Sequence, residues 1–148
     1  CDVQKMSNMG INLAVGTDGP SSNNALDMFR EMYLISVLQK LKYNDAAAMD
    51  ANEILKAATS GSAKCMGLTD CDCIAEGKLA DLMIIDLERP NMQPINNITK
   101  NLVYSGSKDD VKMTMINGKI LYENGEFVNI DKEEIYAKAQ EICNRLKN

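Results

Sequence analysis

No histidine and no tryptophan occur among these 148 residues. Without an imidazole, this chain has no histidine to ligate a metal. No apolar run approaches the roughly 18 residues that a bilayer span needs. No signal peptide opens the sequence, which points to the cytoplasm. Positive charge is in deficit: 16 Lys and Arg stand against 21 Asp and Glu, a net charge of -5, with a pI near 4.8. There is no basic stripe to replace phosphate counterions, so nucleic-acid binding is disfavoured. The five cysteines are odd in number and show no framework spacing. They read as reduced thiols in a cytoplasmic protein, not as a disulfide scaffold. Internal repeats and low-complexity segments are absent.

What is present is ordinary for a globular chain: 45% hydrophobic and 25% charged residues, over a length near one domain. The first residue is Cys1, which fits a fragment or a processed chain. One stretch organises the rest. Ile11, Leu13, Ala14 and Val15 form a short apolar run, suited to a parallel strand buried on both faces. Gly16 permits close backbone approach, and Gly19-Pro20 breaks regular structure. A helix is expected over residues 25–41, with Ser22, Asn23 or Asn24 as its cap. Its apolar rows, Leu26/Phe29/Tyr33, Met28/Met32/Ile35 and Leu34/Leu38/Leu41, predict a broad buried face. Asp18 then lies just past the carboxyl end of a buried strand, where α/β folds place their chemistry. There it either serves as a ligand or acid/base group, or pins the loop.

Further along, Asp50 and Glu53 have capping-box spacing for a second helix that Gly61 would end. Cys65, Cys71 and Cys73 lie close to Asp70 and Asp72. The Cys71–Cys73 spacing is tighter than that of structural zinc sites, and no histidine completes a ligand set. A loop with free thiols is expected instead. Leu82 to Ile85 reads as a strand, and Asp81 as a group that bonds backbone at the turn before it. Residues 102–105 form a short helix or strand. Asn117-Gly118 between two alternating runs marks a hairpin, and Phe127-Val128 offers a third strand. Asp131 and Glu134 cap a last helix, whose stripe Ile135, Ala139, Ile142 and Leu146 should pack on something.

Two of these segments carry a resemblance. The first is Gly16-Thr17-Asp18-Gly19, Ser22-Asn23-Asn24, Leu26-Asp27-Met28-Phe29 and Glu31-Met32. The second is Gly77-Lys78-Leu79-Ala80-Asp81-Leu82 with the apolar run after it. Together they resemble the carboxyl-terminal part of amidohydrolase-superfamily enzymes, in the branch of S-adenosylhomocysteine and methylthioadenosine deaminases and s-triazine chlorohydrolases. The resemblance implies an α/β fold made of a piece of a metal-dependent hydrolase TIM barrel and part of a β-sandwich. Residues 1–70 would be the end of the (β/α)8 barrel, 71–130 part of the sandwich, and 131–148 a carboxyl-terminal helix.

The resemblance also implies a function for the full-length protein: a metal-dependent C–N hydrolase that deaminates small aminated purine nucleosides. Asp18 would be both a metal ligand and the catalytic proton shuttle. The cofactor would be a divalent metal, zinc by resemblance, with its histidine ligands outside this chain. Alone, the fragment should be inactive and carry no fully occupied metal. It should associate with the missing amino-terminal segment or with itself, and not with nucleic acid or membrane. The alternatives are a chlorohydrolase or guanine-type deaminase of the same superfamily, and a non-catalytic interaction module.

Overall fold

A computed structural model describes residues 1–147; residue 148, the last of the expected carboxyl-terminal helix, lies outside them. Helix α1 spans Val3–Asn8 and a single turn, α2, spans Pro20–Asn23. The long helix α3 covers Met28–Tyr43 and α4 covers Ala51–Lys56. A π-helical turn over Ala57–Gly61 leads straight into α5, Ser62–Cys65. After strand β1, Leu82–Ile85, helix α6 covers Ile98–Tyr104. Strands β2 (Val111–Ile116), β3 (Lys119–Glu123) and β4 (Glu126–Phe127) follow, then α7, Lys132–Leu146.

The helical core forms where α3, α4 and α6 meet. Phe29, Met32, Met49, Ala51, Ile54 and Val103 are buried together there. Two buried polar groups on α3 find partners: Ser36 donates to the Tyr104 hydroxyl at 3.4 Å, and Gln39 accepts from the Gln4 N–H at 3.2 Å. Satisfying them avoids the desolvation cost of an orphaned polar group.

Asp27, and not Ser22, Asn23 or Asn24, caps α3: its Oδ1 accepts from the Phe29 and Arg30 N–H groups. The expected broad buried face of α3 is only half realised. Phe29 and Met32 are buried, but Leu38 and Leu41, on the other side, are 55% and 79% exposed. This helix is apolar on both sides, and the described residues supply a layer for one of them.

The run from Ile11 to Val15 is not a strand, against expectation: residues 11–19 carry no ladder. A strand needs a neighbour to receive its hydrogen bonds, and the four strands among the described residues lie in one sheet further on. The run is held instead by a backbone carbonyl of the π turn and a side chain of α5. Val15 N–H donates to Ser62 Oγ at 3.2 Å, and Asn12 Nδ2 donates to the Gly61 carbonyl at 2.9 Å. Past Gly61 the chain adds one more helical turn, Ser62–Cys65, and the π turn makes the path continuous, so Gly61 lies inside it and does not break it.

The sheet is antiparallel throughout, in the order β1-β2-β3-β4. Strand β4 is two residues long, and its Phe127 meets Tyr122 of β3 with ring centroids 5.2 Å apart. Asp81 bonds backbone as anticipated, its Oδ1 accepting from Asn117 N–H at 2.7 Å. This contact ties the start of β1 to the turn between β2 and β3. In that turn Asn117 has φ 48° and Gly118 φ 74°, the pair of positive values that a type I′ hairpin demands. A Cβ on Gly118 would meet no neighbouring atom within 4 Å, so the cost of a side chain there is conformational. Gly118→Val is expected to lower stability by about 1–3 kcal/mol, read as a lower denaturant midpoint; an unchanged midpoint would mean that the turn tolerates β-branching.

Helix α7 is capped by Asp131, which accepts from the Glu133 and Glu134 N–H groups. It buries no residue. Its apolar stripe, expected to pack, has no layer among the described residues.

Candidate functional site

Asp18 sits on the loop between the extended run and α3. Its backbone is left-handed, with φ 57°, a conformation in which Asp is among the tolerated non-glycine residues. The side chain is exposed. Both carboxylate oxygens have a donor: Gly19 N–H reaches Oδ1 at 2.8 Å, and the Ser22 hydroxyl reaches Oδ2 at 2.9 Å. These two bonds, the Ser22 bond foremost, hold the Asp18 carboxyl below the usual carboxylate range, against a smaller opposing push from desolvation. Asp18 is therefore ionised at neutral pH.

The loop is keyed to α3 by one side chain. Asn23 Nδ2 donates to the Thr17 carbonyl at 2.6 Å and to Glu31 Oε1 at 2.8 Å. Glu31 lies in the first turn of α3, and so the residue before Asp18 is fixed relative to that helix. In the sequence, Ser22 and Asn23 stand out as candidate caps and as part of the resemblance motif, with no sign of a bond to Asp18 or Thr17. The missed signal was Gly19-Pro20: proline at the first position of a helical turn is pre-organised for it, and that turn, α2, brings residue 22 back over residue 18.

The thiol loop is separate. Cys71 is half-buried, and desolvation together with its contact to Asp81 pushes its thiol up, away from the thiolate form that binds metal or attacks. Lys78 pairs with Asp72 at 2.8 Å.

Among the described residues no three His, Cys, Asp or Glu side chains converge to hold a metal ion. The groups around Asp18, an N–H and a hydroxyl, are donors to the carboxylate and not further ligands. A zinc site takes about three protein ligands, and these residues by themselves do not fit one.

The sequence profile described as amidohydrolase family matches residues 1–121, a span that includes the Asp18 loop, the helical core and most of the sheet. The chain belongs to the amidohydrolase family. Among curated relatives of this amidohydrolase chain, 5-methylthioadenosine/S-adenosylhomocysteine deaminase of Pyrococcus furiosus is 44% identical over 136 residues. That match covers 92% of this chain and 32% of the relative. Among solved structures, an adenosine deaminase from Xanthomonas campestris with bound zinc superposes with a TM-score of 0.96 at 36% identity, covering 99% of this chain and 34% of that one. Atrazine chlorohydrolase from Arthrobacter aurescens, complexed with zinc, superposes with a TM-score of 0.87 at 26% identity, covering 94% and 31%. The chain thus spans about a third of the length of the relatives it matches. No helix among the described residues is long and apolar enough to cross a membrane.

Proposed function

We propose that this chain is the carboxyl-terminal part of a hydrolytic deaminase of adenosine-type nucleosides, S-adenosylhomocysteine and methylthioadenosine first among them. The observation that carries the proposal is the 44% identity to a deaminase of those two substrates. In the same reading, residues 1–70 are the end of a (β/α)8 barrel and 71–130 belong to a β-sandwich. The extended run 11–15 becomes a barrel strand once neighbouring strands receive its hydrogen bonds. The protein works in the cytoplasm on small molecules.

Hydrolytic deamination needs a nucleophilic water and a group that moves its proton to the departing amine. Asp18 is our candidate for that group. It is ionised at neutral pH, exposed, and held by two donors. A carboxylate has about four lone-pair positions, so two remain to accept a proton or meet a cation. A divalent metal, zinc in the solved relatives, supplies an acidified water when bound. Asp18 offers it one ligand, and the others are proposed to come from outside these residues. A second reading keeps the site and changes the leaving group to chloride, on the strength of the likeness to the chlorohydrolase. It ranks behind deamination because that identity is 26% against 44%.

The test compares two preparations. The 148-residue chain alone is expected to release no ammonia from S-adenosylhomocysteine or methylthioadenosine and to hold no stoichiometric zinc after thiol-bound metal is stripped. Its exposed α3 face should raise its mass in light scattering above one chain. The protein extended by its upstream coding sequence, which should encode a His-x-His motif and further histidines, is expected to do both. Turnover by the chain alone, or none by the extended protein with either substrate, would overturn the proposal.

A further inference from the structure

The Ser22 hydroxyl has one proton and two acceptors in reach, Asp18 Oδ2 at 2.9 Å and the Gly19 carbonyl at 3.0 Å. A bond to an ionised oxygen is the stronger of the two, so the proton belongs to the carboxylate. Gly19 N–H already fixes Oδ1 from the other end. A carboxylate fixed at one oxygen still pivots about that bond; fixing the second oxygen removes the pivot. The side chain is exposed, and among the described residues no other side chain bonds its oxygens. The backbone contributes by placing residue 18 at φ 57°, and α2, started by Pro20, places Ser22 over it.

We propose that Ser22 is a positioning residue for Asp18, one that holds the carboxylate plane and presents its two free lone-pair positions in one direction. The proposal rests on the deaminase function given above for Asp18. Ser22 does not touch the reacting atoms; it acts through Asp18. Near-attack geometry is sensitive to shifts of about 1 Å, so loss of the hydroxyl should cost rate and not binding of the remote parts of the substrate.

The experiment uses the full-length protein with Ser22→Ala and Ser22→Thr. For Ser22→Ala, kcat with S-adenosylhomocysteine is expected to fall about 10- to 100-fold, the range for a hydrogen bond to a charged group. KM should stay within about twofold and the thermal midpoint should not move, which a merely structural role would not produce. Ser22→Thr keeps the hydroxyl and should recover most of kcat. A parent-like kcat in the alanine variant, or no recovery with threonine, would overturn the positioning role. If the parent itself proves inactive with adenosine-type substrates, the deaminase reading fails, and crystal structures of the three proteins decide the positioning role by themselves. The Asp18 carboxylate should occupy one orientation in the parent and in Ser22→Thr, and more than one in Ser22→Ala. A single, unchanged orientation in the alanine variant overturns it.

Discussion

Asp18→Asn, made in the full-length protein, is expected to lower deamination of S-adenosylhomocysteine by about 10²- to 10⁴-fold, the range for loss of a positioned acid/base group. The substitution is chosen to leave the loop intact. Asparagine is at least as tolerant as aspartate of the left-handed backbone at this position. Its amide oxygen still accepts from one of the two donors, Gly19 N–H or Ser22 Oγ, that hold Asp18. What it cannot do is take a proton, because a neutral amide has no basicity near neutral pH. Steady-state ammonia release and the circular dichroism melt are to be measured on the same preparation. Near-normal turnover in a folded variant would remove Asp18 from the chemistry and leave it the role of pinning its loop.

The second large effect is expected at Gly61. A Cβ built there would lie 2.4 Å from the Leu13 carbonyl oxygen and 3.0 Å from that of Lys56. Both obstacles are backbone, so no rotamer change relieves them. Gly61→Ala must widen the π turn or push residues 11–15 outward. Overpacking of this kind costs about 1–3 kcal/mol, and the same shift would strain the bonds from Val15 N–H to Ser62 Oγ and from Asn12 to the Gly61 carbonyl. Those contacts lead directly into Thr17 and Asp18. A lower denaturant midpoint is therefore expected in the chain, together with reduced turnover in the full-length protein. A variant with the parent's midpoint would mean that the extended run is free to move away from α5.

Close approach also explains the shape of this region. The π turn over Ala57–Gly61 inserts extra width into a helix that runs on to Cys65, and Ser62 Oγ donates back to the Ala57 carbonyl at 2.7 Å. The glycine lets the extended run cross at backbone distance. The serine beside it supplies a side-chain bond where a sheet neighbour would supply a main-chain one.

Much of the local structure was determined by the sequence alone. Asp50 and Asp131 cap their helices where the pattern places them. Asn117-Gly118 turns the hairpin, and the Leu82–Ile85 run is a strand. The caps and the turn depend on neighbours a few residues away, so local chemistry suffices for them; the Leu82–Ile85 run is a strand because β2 lies beside it to receive its hydrogen bonds. The sequence also singled out Asp18, through its place after an apolar run and its surrounding motif, and the amidohydrolase family to which the chain belongs.

Only the tertiary structure decided matters that depend on distant partners. A short apolar run marks residues 11–15 as a strand, but a strand exists only where another receives its hydrogen bonds, and here the Ser62 hydroxyl of α5 takes that place at Val15. Apolar rows mark a broad face of α3 as buried, yet burial needs a covering layer, and α4 and α6 cover only part of it. Ser22 was read as a cap because its side chain is short and polar. It became a partner of Asp18 because one helical turn folds residue 22 back over residue 18.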